Sequence, residues 1–148
     1  MRSLLFAFAL AAAACGSKQP RTPTAAPPPT TPLYDRLGRL DAIKAIVKDF
    51  VEERVAKDPR IRARFATVDV AHLEQMLTEQ ICEATGGPCK YTGKSMKDAH
   101  AGMAITEAEW RAFVEDLVAS MIRFDVPKAE QDELIGKLAT MHDDIVGK

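Results

Sequence analysis

The segment GGPCKYTGKSMKDAHAGMAIT, residues 86–106, separates two long stretches of helical periodicity. Its first three residues, Gly-Gly-Pro, end the preceding helix, because glycine favours a helix C-terminus and proline cannot continue a helix. The rest is rich in loop-forming residues and holds only a short possible helix around residues 96–101, which contains His100. A lone histidine in a helical domain is usually solvent-facing or a satisfied polar residue, so the surrounding pattern must decide its role.

Apolar residues recur at helical spacing outside this segment, and no stretch alternates with the period of two that is typical of strands. The sequence therefore predicts an all-α chain. Long helices are predicted from Asp41, a candidate N-cap, to a point before residues 58–59, from Val70 to Ala84, from a capping box at residues 106–109, and from about Pro127 through Ile145.

The pattern of residues 86–106 closely resembles the segment that carries the proximal haem histidine in group I truncated haemoglobins. Two further matches are Leu33-Tyr-Asp-Arg-Leu-Gly38 and Asp58-Pro59, so the resemblance runs from about Leu33 to the C-terminus. It implies a globin-like fold, the truncated two-over-two helical sandwich. It also implies haem b as the cofactor, with His100 as the proximal ligand of the haem iron.

The resemblance further implies which residues contact the haem. Met96 lies four residues before His100 and would share its face of the short helix. Phe65 falls where globins place a phenylalanine against the haem face, and Leu73 and Leu77 fall at the two distal positions of the facing helix. The expected haem-contacting residues are His100, Phe65, Leu73, Leu77, Met96, Phe50, Val51, Ile81 and Tyr91.

The distal positions depart from the family pattern. Group I members commonly have a tyrosine after a phenylalanine on the first long helix and a glutamine on the facing helix, and both hydrogen-bond oxygen. This chain has Phe50-Val51 and Leu77 there. Because one extra residue lies between Phe50 and Asp58, Glu52 could instead occupy the tyrosine position. Neither Val51 nor a charged Glu52 donates a hydrogen bond, which predicts oxygen release faster by about tenfold or more.

Other residues offer alternative contacts with a haem. With a shifted helix, His72 could approach the iron as a sixth ligand. His142 is followed by two aspartates and is interpreted as a solvated chain end. Lys90 and Lys97 are the candidate partners of the haem propionates.

The N-terminal residues predict export. Arg2 and the apolar run Leu4–Ala14 form a secretory signal, which is too short to cross a membrane that needs about 20 residues. Residues 12–15 resemble a bacterial lipobox, in which Cys15 is lipidated, although Ala12 stands where leucine is usual. A plain cleaved signal is the alternative. The expectation is an exported, membrane-anchored lipoprotein on the periplasmic or cell-surface side.

The chain from residue 16 to residue 32 predicts a disordered tether. It has no aliphatic residue larger than alanine and contains six of the nine prolines. Such a composition cannot bury enough apolar surface to fold and favours an extended spacer. The predicted domains are therefore a signal with Cys15 (1–15), a tether (16–32) and a globin domain (33–148).

Cys82 and Cys89 remain once Cys15 is assigned to the lipobox. An even remainder in an exported protein suggests a disulfide across the glycine-proline turn, and two free buried thiols are the alternative.

Composition and motif together limit the classes of function that the sequence allows. The globin domain carries 17 of the 20 basic side chains and all 21 acidic ones, a net charge of −4, so nucleic acid is not an expected partner. The resemblance implies reversible binding of a diatomic gas, oxygen or nitric oxide, of the oxygen-binding or carrier type. The alternatives are haem-dependent conversion of nitric oxide to nitrate, and a haem-free lipoprotein that serves as an interaction module. No redox partner is identified.

Overall fold

The computed structural model describes residues 30–148, and this part of the chain is helical. In chain order its α-helices are α1 (Leu33–Arg36), α2 (Arg39–Asp49), α3 (Arg62–Phe65), α4 (Val70–Ala84), α5 (Met96–His100), α6 (Glu107–Arg123), α7 (Lys128–Ala139) and α8 (His142–Ile145). A π-helix, Phe50–Val55, continues α2. The described residues contain no strand, only an isolated bridge between Ile105 and Val146. The prediction of an all-α fold is confirmed.

Two sequence predictions concern the chain before residue 30. The signal with its lipobox-like Cys15, and the tether up to residue 29, lie outside the described residues. Within residues 30–148, no helix combines the length and apolar character that crossing a membrane requires.

Helix α2 begins at Arg39, so the prediction of Asp41 as its N-cap is wrong. Gly38 precedes the helix with φ +90°, a left-handed conformation that glycine adopts without strain. A Cβ atom on Gly38 would lie 2.8 Å from the Cβ of Ala42. Asp41 instead lies in the first turn, where its negative charge interacts favourably with the helix dipole.

The π-helix explains the extra residue between Phe50 and Asp58. A π turn takes one more residue than an α turn, so it absorbs a single added residue locally. Phe50, Val51 and Val55 are all buried, whereas Glu52 lies outside and pairs with Lys48 over 2.6 Å. Glu52 therefore does not occupy the tyrosine position, and that alternative is wrong.

The core lies where the long helices meet. Helix α2 contacts both α4 and α6, the π-helix packs on α6, and α6 also contacts α7. The rings of Phe50 and Phe113 meet edge to face with centroids 4.8 Å apart. Helix α6 begins with the predicted capping box, since the Thr106 and Glu109 side chains each accept from the backbone N–H of the other.

The predicted last helix is interrupted. Helix α7 ends at Ala139, the chain turns through Thr140 and Met141, and the short α8 follows. The Thr140 hydroxyl donates to the Lys137 carbonyl over 2.7 Å, which satisfies one of the last carbonyls of α7. The turn carries α8 to a position against α5.

Candidate functional site

The His100 side chain is oriented by its own short helix. Ser95 caps α5, its hydroxyl oxygen accepting from the Asp98 backbone N–H over 3.1 Å. His100 is half-buried, and its Nδ1 lies 2.8 Å from the carbonyl oxygen of Met96. Because a carbonyl oxygen only accepts, Nδ1 carries a proton, and in the neutral imidazole this leaves the lone pair on Nε2. This tautomer is the one that ligation of a metal through Nε2 requires, so His100 fits the proximal position of a haem.

The chain that follows His100 is fixed by contacts to other elements. The Arg64 guanidinium donates to the Met103 carbonyl over 2.8 Å and to Glu109 Oε1 over 2.6 Å. The Gly147 N–H donates to the Ile105 carbonyl over 2.9 Å, and the Ala104 N–H donates to the Lys148 carbonyl. The C-terminal residues thus hold the connection between α5 and α6.

The residues predicted to face the other side of a haem are apolar and packed. Phe50 is 1% exposed and Val51 is 2% exposed. Leu73 and Leu77 are half-buried and pack against the core from α4, as does Phe65 from α3. None of these side chains carries a hydrogen-bond donor.

The remaining predicted haem-contacting residues occupy different surroundings. Ile81 is buried in the core. Tyr91 is half-buried, which raises the pKa of its hydroxyl, and that hydroxyl donates to the Lys94 carbonyl over 2.9 Å. Met96 is half-buried, and its Sδ lies 3.0 Å from Nε2 of Gln80 on α4.

The other two histidines differ from each other. His72 is exposed on α4. His142 is not the solvated chain end that the sequence indicated, because its ring lies edge-on to Trp110 with centroids 5.4 Å apart and its side chain is 30% exposed. Its Nε2 lies 3.0 Å from Glu107 Oε1. The aromatic contact could not be recognised from a histidine followed by two aspartates.

A disulfide joins Cys82 at the end of α4 to Cys89, with Cα atoms 5.7 Å apart. Gly87 lies inside this loop and its N–H donates to the Cys82 carbonyl over 2.8 Å. Any Cβ atom on Gly87 would lie 2.5 Å from the ring of Tyr34. The loop therefore packs closely against the N-terminal part of the domain before it leads to α5.

A cavity of about 590 Å³ opens on the opposite side of α4 from Leu73 and Leu77. The side chains that line it are Leu40, Lys44, Lys48, Ala71, Glu74, Gln75, Thr78, Glu79, Cys89 and Lys90. Lys90, one of the two lysines considered for the propionates, pairs with Glu83 over 3.2 Å. Lys97 is exposed on α5.

Comparison with known proteins agrees with this geometry. A family model described as bacterial-like globin matches residues 32–146. The chain is 31% identical over 116 residues to the group 1 truncated haemoglobin of Tetrahymena pyriformis, which covers 78% of this chain and 95% of that protein. It is 33% identical over 113 residues to the group 1 truncated haemoglobin of Synechocystis sp., covering 74% and 87% respectively.

The fold agrees as well. The crystal structure of the Tetrahymena pyriformis truncated haemoglobin in the Fe(III) form superposes with a TM-score of 0.77 at 30% identity, covering 80% of this chain and 100% of that one. The predicted truncated globin fold is therefore confirmed. By sequence and by fold, the chain belongs to the bacterial-like globins, as a group 1 truncated haemoglobin, and so to a family of haem-binding globins.

Proposed function

We propose that this globin reversibly binds a diatomic gas at the iron of haem b, with His100 as the proximal ligand. The observation that carries the proposal is the 2.8 Å contact between His100 Nδ1 and the Met96 carbonyl, which leaves the lone pair of Nε2 available for iron. When bound, the haem supplies a ferrous iron with one open coordination position for the gas.

The residues of the chain then determine which gas is retained. Val51, Leu73 and Leu77, at the family's distal positions, give an apolar wall. Oxygen gains partial negative charge on binding and is retained longer where a donor faces it, whereas nitric oxide depends less on such a donor. We therefore expect fast oxygen release and a relative preference for nitric oxide. The same lack of donors disfavours conversion of nitric oxide to nitrate, because that reaction uses retained oxygen.

The test is the visible spectrum of the protein beside two histidine variants. Purified from haem-sufficient cells, the wild type should show an intense Soret band. His100→Ala should lose or shift that band. The control is His72→Ala, which should leave the band unchanged because His72 is exposed on the facing helix. In His100→Gly, added imidazole should restore the spectrum, because the free base can bind the iron in place of the missing side chain.

Two results would contradict the proposal. A folded wild type that takes up no added haemin would remove the haem function and leave the haem-free interaction module. A Soret band unaffected by His100→Ala would place the iron ligand elsewhere.

We further propose that the globin domain is exported and anchored through a lipid on Cys15. The support is the signal and lipobox pattern of residues 1–15, together with the Cys82–Cys89 disulfide, which is typical of oxidising compartments. Metabolic labelling with a radioactive fatty acid should mark the wild type and spare Cys15→Ala. Labelling of neither protein, with both recovered in the soluble fraction, would contradict the anchor.

A further inference from the structure

Gln80 links the two sides of the candidate haem site. It lies on α4 three residues after Leu77, so both side chains belong to one face of the helix. Its side chain is half-buried, and its amide Nε2 lies 3.0 Å from Met96 Sδ on α5 and 3.4 Å from Met141 Sδ just before α8. The amide on α4 therefore contacts two other segments of the chain, α5 and the turn into α8.

The contact with Met96 leads directly to the iron ligand. The Met96 carbonyl accepts a hydrogen bond from His100 Nδ1–H and so favours one tautomer and one rotation of the imidazole. Helix α5 runs only from Met96 to His100, and so short a helix is not stable by itself. The orientation of its carbonyls must therefore come from contacts with other elements, and α8 and Gln80 supply such contacts.

We propose that Gln80 is a positioning residue for His100, acting through Met96. The effect of Gln80 on a bound haem rests on the proposed function, whereas the contact between Gln80 and Met96 lies within the protein itself. A thioether sulfur is a weak acceptor, so the amide holds Met96 less firmly than a carbonyl would. Met141 offers the same amide a second sulfur, which ties the turn into α8 to the same point.

The first experiment measures the tautomer of the His100 imidazole in the haem-free protein. Nitrogen-15 NMR of the imidazole distinguishes the Nδ1–H from the Nε2–H tautomer. Gln80→Met removes the amide donor and keeps a side chain of similar length, and it should lower the Nδ1–H population. The matched control is Gln75→Met, because Gln75 is exposed on the other side of α4 and bonds only Glu79 among the described residues, over 2.8 Å.

The second experiment measures the iron–histidine bond and the rate of haem loss in the haem-loaded protein. Gln80→Met should shift the iron–histidine stretching band of the ferrous form in resonance Raman spectra. It should also speed haem transfer to excess apomyoglobin by roughly twofold, the lower end of the range expected for losing one hydrogen bond, because the acceptor is a thioether sulfur. Met96→Leu removes the sulfur acceptor and should act in the same direction. Combining the two changes should add little to either one alone, because both remove the same contact.

The outcomes separate this inference from the proposed function. If the wild type takes up no haem, the proposed function fails, and the NMR comparison still decides the role of Gln80. If Gln80→Met leaves both the His100 tautomer and the iron–histidine band at their wild-type values, Gln80 does not position His100. Equal effects of Gln75→Met and Gln80→Met would also overturn the inference.

Discussion

The hydroxyl of Ser120 donates a hydrogen bond to Asp49 Oδ2 over 2.8 Å, inside the contact between α6 and the end of α2. Both residues are buried, Asp49 at 6% exposure and Ser120 at 0%. Asp49 Oδ1 also lies 2.7 Å from the guanidinium of Arg123. These two partners stabilise the buried Asp49 carboxylate at the point where α2 becomes the π-helix. The network of Asp49, Ser120 and Arg123 therefore holds the first long helix against α6.

Removing the Asp49 carboxylate should therefore destabilise the protein. Asp49→Ala leaves the buried Ser120 hydroxyl without its acceptor, and the expected loss is about 1–3 kcal/mol of unfolding free energy. Urea denaturation measures it. The control is Asp132→Ala, which breaks only the exposed pair with Lys128 and should change stability by less than about 1 kcal/mol. Equal losses in the two variants would mean that the buried network contributes nothing specific.

Gly87 and Gly136 offer a matched test of close packing. A Cβ atom on Gly87 would lie 2.5 Å from the Tyr34 ring and 2.7 Å from Cys82 Sγ, so Gly87→Ala must displace neighbouring atoms. The expected cost is about 1–3 kcal/mol. Gly136 lies within α7, and beyond the adjacent helix backbone no described atom lies within 4 Å of its added Cβ, so Gly136→Ala should stabilise by about 0.5–1 kcal/mol. Thermal unfolding of both variants checks the opposite signs.

Glu109 predicts a loss of stability in acid. Its ion pair with Arg64, and then the hydrogen bond from the Thr106 N–H, lower its pKa from 4.5 to about 2. A lowered pKa means that the folded state prefers the charged carboxylate. Glu109 therefore stabilises the folded state fully above its unfolded-state pKa, and this stabilisation is lost as the pH falls from about 4.5 to about 2. Glu109→Gln should flatten the stability profile in that range, and urea denaturation at a series of pH values measures the slope.

His142 predicts the opposite dependence near neutral pH. Hydrogen bonds to Asp143 and then to Glu107 raise the pKa of the imidazole above 6.5. The folded state therefore prefers the charged ring. The stabilisation that His142 contributes is complete below pH 6.5 and is lost as the pH rises through the raised pKa. His142→Phe keeps an aromatic contact with Trp110 but does not titrate. Melting temperatures between pH 5.5 and 8.5 should fall less in that variant than in the wild type, and parallel curves would contradict this role.

Leu77 tests the proposed ligand preference. Leu77→Gln introduces an amide donor at a family distal position, and a donor to a charged ligand is worth roughly 1.5–3 kcal/mol. Oxygen release should slow by about tenfold or more, and nitric oxide release should change less. Flash photolysis and stopped-flow mixing measure both rates. The control is Gln75→Leu, which changes the opposite side of α4. Unchanged oxygen release in Leu77→Gln would mean that residue 77 does not face the bound gas.

The sequence predicted those helices whose ends are marked by local chemistry. Asp69 caps α4, and the Thr106 and Glu109 side chains cap α6, so both helices lie where they were predicted. The π-helix, the turn at Thr140 and Met141, and the short helices α1 and α3 were not predicted. These features depend on how distant segments pack, and apolar periodicity alone does not record such contacts.

The candidate site was predictable only in part. The position of His100 followed from a family pattern, whereas the partner of its Nδ1 required the backbone of α5. Gln80 was missed because its acceptors are sulfur atoms 16 and 61 residues further along the chain. Asp49 was missed because an acidic residue in a helix is normally exposed, and only the fold brings Ser120 to it.

The widened turn at Phe50–Val55 makes the first long helix tolerant of a change in chain length. One residue added to an ordinary α-helix rotates every later side chain by about 100°, which would have turned Val55 from the interior to solvent. Here Val55 is fully buried, so the register is restored before the helix ends. One residue can therefore be gained or lost in this stretch while the hydrophobic interior keeps its packing.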